Sequence, residues 1–183
     1  AFNGNDKVRS KSGKGQYMLY HGNLSVIENI DAVTWLLKNI NNKYRFIIAG
    51  KDPGIELEKL ITKYENAQLI SNPEGSKLDE LIANAHINLL ITFQPTGIKL
   101  KLLESLFKGR HCLVNPQMID NTGLEGTCKI FYPEKNSINL FIEQLFATEF
   151  TETDIQLRQN LVQPYMDKQN INTLVKYLST NSN

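Results

Sequence analysis

From residue 17 onward, short apolar runs alternate with stretches in which apolar residues recur every three or four positions. Tyr17–His21 (YMLYH) is apolar and aromatic, stops at Gly22, and predicts a strand. Ile30, Val33, Trp35, Leu36, Leu37 and Ile40 then fall at helical spacing. The β-branched and aromatic run 44–49 (YRFIIA) predicts a second strand, closed by Gly50. A helix follows over Ile55, Leu57, Leu60 and Ile61, opened by Pro53 and Gly54. The same alternation continues through a strand at 67–70, a helix over Leu78–Ala85 capped by Ser76, and a strand at 86–92. A helix from about 98 to 108 ends at Gly109. Strands at 111–114 and 128–132 follow, and helices at 137–148, 152–163 and 168–179 finish the chain. Residues 1–16 show no period and carry three glycines, two serines and four basic residues, so they read as a flexible lead-in or linker.

Strand and helix alternate, and most strands are apolar throughout, as expected when helices cover both faces of a parallel sheet. The pattern predicts an α/β domain built on a doubly wound parallel sheet of about six strands, with helices appended at the C-terminus. A chain of 183 residues is enough for one such domain. Composition narrows the class. Twenty Lys+Arg against nineteen Asp+Glu leave a net charge of +1, spread along the chain, which argues against a nucleic-acid partner. Apolar runs are too short to cross a membrane, and two cysteines do not make a disulfide framework or a structural zinc site. A soluble, cytoplasmic domain is expected. The start, Ala1-Phe2-Asn3-Gly4, lacks a Met and reads as part of something longer.

In a doubly wound sheet, ligands gather beyond the carboxyl ends of the strands, near the switch in strand order. The positions to inspect are therefore His21-Gly22-Asn23, Gly50-Lys51-Asp52, Ser71-Asn72-Pro73, Phe93 to Gly97, and Asn115-Pro116. Glycines directly after the first two strands allow a close ligand, or simply a tight turn. Familiar chemistries fail: there is no GxGxxG after the first strand, no GxxxxGK[ST] loop, and no GxSxG elbow. His21, His86 and His111 lie on or beside strands without a carboxylate partner in any motif and read as core or rim histidines.

The most informative stretch is residues 95–109, PTGIKLKLLESLFKG. On a wheel advancing about 100° per residue, positions 98, 100, 102, 103, 106 and 107 share an arc of about 200°. Lys101, Glu104, Ser105 and Lys108 share the other side, where their spacing also fits an ordinary surface charge ladder. Lys99 breaks the pattern, since it falls inside the apolar arc in the first turn. That place suits a lysine that either meets an anion at the helix N-terminus or reaches past its neighbours to solvent.

The stretch 96–109 resembles the "TGIKxKxLEAxAxG" helix in the C-terminal, donor-binding domain of GT-B-fold glycosyltransferases of the family 4 type. Other segments agree in order. Residues 21–29 resemble the "GNLSxxPN" opening of that domain, and 46–53 its "hhhxGxxP" strand and turn. Leu78 to Ala85, followed by Ile87-Asn88-Leu89, is similar to most of "LxxxxxxAxhxhxP", and Arg110 to Asn115 with Gly123-Leu124 to "GxPVVxTxxGxxGL". The resemblance spans residues 17 to about 145 and implies a nucleotide-sugar donor domain at 17–150. Residues 151–183 would then be helices packed on it or crossing to an absent N-terminal acceptor domain. It implies that Glu104 holds the ribose hydroxyls, that Thr96, Gly97 and Lys99 face the phosphates and sugar, and that Gly22 and Asn23 approach the diphosphate. The loops carrying Gly50, Lys51 and Asn72 would meet the base.

Departures from the family pattern shift the expected duties. The first of two acids spaced eight apart is Thr96 here, and the basic residues that follow the first strand are Asn23 and Asn29. Gripping the diphosphate would then fall to Lys99 or Lys101. The resemblance implies a sugar transferase, retaining in outcome, whose donor is a nucleotide-diphosphate sugar and whose acceptor is a glycan or lipid. No catalytic residue is expected in this chain, because the base belongs to the absent domain. Membrane association is expected only through that domain. No cofactor and no metal are expected, since no Asp-x-Asp pair is present to hold one. A non-catalytic module of the same fold, binding a ligand or a partner, is the alternative. A related epimerase or phosphorylase is a third, and it lacks a pyridoxal lysine motif.

Overall fold

The computed structural model describes residues 7–94, 100–133 and 138–166. Six parallel strands form one sheet in the order β3-β2-β1-β4-β5-β6. They are β1 Tyr17–Asn23, β2 Arg45–Lys51, β3 Ala67–Ser71, β4 Ile87–Leu90, β5 His111–Val114 and β6 Lys129–Ile130. The helices are α1 Ile27–Asn39, α2 Ile55–Ile61, α3 Gly75–Asn84, α4 Leu100–Lys108, α5 Pro116–Ile119, α6 Ile138–Ala147 and α7 Glu152–Val162. The α/β doubly wound class is therefore present as expected.

Successive side chains of a strand point to opposite faces, and the core divides accordingly. Met18, Tyr20, Phe46, Ile48, Ile87 and Leu89 pack with the buried faces of α1, α2 and α6. On the opposite face, Leu19, Ile47 and Ala49 meet α3, while Leu90, Cys112 and Val114 meet α4 and α5. This alternation sends His21 toward α4 and leaves Gly22 facing α1.

Boundaries move where pairing decides them. The expected strand at 86–92 pairs only over Ile87–Leu90, because its neighbour β5 offers only His111–Val114 in register. The expected strand at 128–132 contracts to Lys129–Ile130, at the sheet edge. Ser76 is not the cap of α3: the helix begins at Gly75 behind Glu74, and Ser76 lies in its first turn. The expected helix at 168–179 lies outside the described residues.

The reading of residues 1–16 as a flexible lead-in is corrected for its described part. Val8 donates its backbone N–H to Gln159 Oε1 at 2.7 Å, Arg9 to the Phe107 carbonyl at 2.6 Å, and Gly15 to His86 Nδ1 at 3.1 Å. Gly13 forms an antiparallel bridge with Phe150. The anchor is Arg158 of α7, which is buried and lies over the Phe150 ring at 4.5 Å. Its guanidinium donates to the carbonyls of Leu106, Gly109 and Arg110 and to Ser10 Oγ. A rigid fork of donors satisfies three helix-end and strand-start carbonyls at once. Helix α7 and residues 8–10 are thus tied to the same end of α4.

Candidate functional site

The strand order reverses between β1 and β4, and the carboxyl ends of β1 and β2 open there onto two adjoining cavities. One, about 210 Å³, is walled by His21, Gly22, Asn23, Gly50, Lys51, Pro73, Leu78, Lys101 and Glu104. The other, about 560 Å³, lies toward α1 and includes Asn29, Thr92, Gln94 and Leu100. Gly22, Asn23 and Lys101 belong to both and form the partition.

Six of the residues expected at the site, Gly22, Asn23, Gly50, Lys51, Lys101 and Glu104, therefore meet around one cavity. Thr96, Gly97 and Lys99 lie outside the described residues. Asn72 is not in the wall: its Oδ1 accepts the Asp52 N–H at 2.9 Å, and its own N–H bonds the Gly50 carbonyl at 2.7 Å. Asp52 and Asn72 both have φ 51°, the left-handed region that Asn and Asp tolerate best. Their side chain and backbone stitch the β2 and β3 exits together, and Pro73 reaches the cavity instead.

Both glycines line the smaller cavity, and each also has a close contact within the protein. They are paired in register, and a Cβ on Gly50 would stand 2.0 Å from the Gly22 carbonyl oxygen. A Cβ on Gly22 would meet the Asn29 side chain at 3.2 Å.

Helix α4 does not carry its polar side as a solvated ladder. Ser105 is fully buried and shares a 3.0 Å hydrogen bond with His21 Nε2. Lys108 pairs with Asp79 of α3. Lys101 Nζ donates to Tyr20 Oη at 3.1 Å and to Asn29 Oδ1 at 3.0 Å. Glu104, half-buried, makes no hydrogen bond or ion pair among the described residues, and it faces the cavity. Desolvation raises its pKa above that of an ordinary glutamate, Asp79 adds to the rise, and Lys108 opposes it. His21 is pushed down to about 3, chiefly by burial and further by Lys101 and Lys108, so its imidazole is neutral. The site thus offers a partly desolvated carboxylate, an ammonium braced on neutral oxygens, and a neutral imidazole at its floor.

The expected reading of the histidines holds for His86, which takes the Gly15 N–H and bonds the Leu145 carbonyl at 2.8 Å. His21 is different, because it lines the cavity. Its place was legible in the period of two along β1, which sets it on the α4 face. Asn29 was visible only as a missing cation. Its role needed the close approach of α1 and α4 over β1.

A third cavity, about 160 Å³, opens at the other end of the sheet beside Cys112, Cys128 and Arg158. Arg158 is already committed to the carbonyls described above. Among the described residues no group of three His, Cys, Asp or Glu side chains could hold a metal ion, and no helix is long and apolar enough to cross a membrane.

No family model and no curated protein sequence matches the chain. Solved structures do. AviGT4, a glycosyltransferase involved in avilamycin A biosynthesis, superposes with TM-score 0.57 at 16% identity, over 86% of this chain and 49% of that one. A UDP-forming α,α-trehalose-phosphate synthase from Burkholderia xenovorans, in complex with glucose-6-phosphate, gives 0.58 at 15% identity, over 82% and 40%. The catalytic domain of starch synthase IV from Arabidopsis thaliana, bound to ADP and acarbose, gives 0.57 at 10% identity, over 95% and 39%. The chain spans less than half the length of each of these structures. At these identities the likeness concerns the fold, which is that of one Rossmann-like half of a GT-B glycosyltransferase.

Proposed function

We propose that this chain is the donor-binding half of a glycosyltransferase and takes a nucleotide-diphosphate sugar at the carboxyl ends of β1 and β2. The observation that carries this reading is Glu104: a half-buried carboxylate facing the cavity, on the same helix face as the ammonium of Lys101. A carboxylate can accept two hydrogen bonds from vicinal hydroxyls such as those of ribose, while an ammonium suits a diphosphate. The starch synthase neighbour is bound to ADP, which supports a nucleotide in this fold.

Binding and positioning are this chain's share. Glu104 would hold the ribose, Lys101 together with Lys99 the phosphates, and the apolar Pro73 and Leu78 would flank the base side of the cavity. We propose that the acceptor, a glycan or lipid, and the catalytic base come from a second domain, since the chain spans less than half the length of these neighbours. In this reading transfer is retaining, needs no metal or cofactor, and takes place in the cytoplasm. The chain alone binds donor weakly and transfers nothing.

Amide NMR titration with UDP, GDP, ADP and their sugar conjugates tests this. Shifts gathered at Gly22, Gly50 and Glu104, even with a dissociation constant near 1 mM (about −4 kcal/mol), are expected. A spectrum unmoved by all of them overturns the donor reading, and sugar transfer by the chain alone overturns the division of labour.

A further inference from the structure

The Lys101 ammonium is not simply present at the partition between the two cavities; it is aimed there. Asn29 does the aiming. Its Nδ2 donates to the Asn23 carbonyl at 2.9 Å, and a carbonyl can only accept. That bond fixes the amide's orientation, so Oδ1 must face the other way. There it accepts Tyr20 Oη–H at 2.8 Å and Lys101 Nζ–H at 3.0 Å. With its proton given to Asn29, the Tyr20 hydroxyl turns a lone pair to Lys101 at 3.1 Å. The ammonium also stands 4.8 Å from the centroid of the Tyr20 ring, where the ring quadrupole attracts a cation.

The brace is stiff and neutral. Tyr20 is fully buried in the sheet and cannot follow a moving lysine. Its hydroxyl and the Asn29 amide carry no charge, so these two partners hold the ammonium without cancelling it. Gly22 keeps the brace open, since any Cβ there would crowd Asn29. The neighbouring Asn23 cannot take over the task, because its Oδ1 is occupied by the Ser25 N–H and hydroxyl. Among the described residues, Lys101 is the cation shared by the walls of both cavities.

We propose that Asn29 is a positioning residue: it sets the Lys101 ammonium where it meets the diphosphate of the donor. This rests on the donor reading above and adds to it. Both ligand contacts would then come from one helix, Lys101 to phosphate and Glu104 to ribose. Residues spaced i,i+3 on a helix have Cβ atoms about 5–6 Å apart. That spacing selects a ligand whose anionic group lies one sugar ring away from a hydroxyl pair, as in a ribosyl phosphate.

The test compares each of UDP, GDP and ADP with its own nucleoside, on the wild-type chain and on the Asn29→Asp, Asn29→Ala, Tyr20→Phe and Lys101→Met variants. The quantity read is the affinity gained from the diphosphate, the ratio of nucleoside to nucleotide dissociation constants. Asn29→Asp puts a carboxylate against the ammonium, and the gain should fall about tenfold or more while nucleoside affinity holds within about twofold. Its affinity for the diphosphate should also depend less on KCl concentration than that of the wild type. Lys101→Met should abolish the gain, and Asn29→Ala should lower it. Tyr20→Phe keeps the ring and volume and should lower it about threefold. Dispersed amide spectra show which variants are folded; if the Asn29 variants are not, Tyr20→Phe decides. Folded variants that keep the wild-type gain, or lose nucleoside and nucleotide equally, overturn the positioning role and leave the donor site standing. A wild-type chain that binds neither nucleoside nor nucleotide overturns both.

Discussion

Glu104 shows how one side chain can be costly to the fold and useful to the site. Its folded pKa is raised above the ordinary 4.5, mainly because the carboxylate is half desolvated. A carboxyl with a raised folded pKa binds its proton more tightly when folded, so ionising it lowers stability as pH rises through that range. Glu104→Gln should therefore raise the thermal midpoint at pH 7 and leave it nearly unchanged near pH 4, as read by circular dichroism. The same substitution should weaken nucleotide binding by about 1–3 kcal/mol in a calorimetric titration, because a charged acceptor is lost. Wild-type affinity should fall as pH drops through the raised pKa. A Glu104→Gln variant that binds as tightly as the wild type would remove Glu104 from the site. The residue was legible in sequence from its place on the helix; its exposure to the cavity was not, because the wheel set it with Ser105 and Lys108 on a side that reads as solvent.

At the level of elements, β1 and β2 are held closer at their carboxyl ends than side chains would allow. Gly50 is in contact with the Gly22 backbone and with Leu24, so a methyl group has nowhere to go. Gly50→Ala should destabilise the chain by about 3 kcal/mol, at the upper end of overpacking costs, with a matching fall in the urea midpoint. Gly75, in the first turn of α3, meets nothing within 4 Å. Gly75→Ala should be neutral or stabilising by up to about 1 kcal/mol through helix propensity. If the two substitutions behave alike, the close approach of the strands is not what Gly50 serves. In sequence the strand-ending glycines allow either a close ligand or a tight turn, and in the structure each also has a close contact within the protein. Only the pairing of β1 with β2 reveals that.

Over the whole molecule, stability should depend on acid through its histidines. His21 is pushed down to about 3 and His111 to about 4, both chiefly by burial, and His86 is lowered by the same cause. For a histidine whose folded pKa is depressed, the unfolded chain takes up the proton first. Stability is then fully present above the unfolded value of 6.5 and declines as pH falls toward the folded one. Each such group contributes a slope of at most about 1.4 kcal/mol per pH unit within that window. The urea midpoint should therefore drop between pH 6.5 and 4, and His21→Gln, which can still bond Ser105, should flatten the decline. An unchanged slope in that variant would mean that His21 is solvated and titrates normally. These histidines share a cause: each ring lies on or beside a strand and is packed where charge is expensive, while hydrogen bonds satisfy the neutral ring.

The amino-acid sequence by itself determined the architecture, because alternating periods of two and 3.6 residues, broken by glycine and proline, specify which segments are strands and helices wherever one face must be buried. It also marked the helix at 98–108 as unusual, through Lys99 inside its apolar arc, and the resemblance singled out Glu104. Tertiary structure decided what that helix faces. Whether Lys101 enters a charge ladder or a brace depends on Tyr20 and Asn29, more than seventy residues away along the chain, and no local period records a contact across such a distance. The docked N-terminal segment has the same explanation. It carries no period of its own, and its order comes from hydrogen bonds to α4, α7 and His86 that exist only after the sheet has brought those elements together.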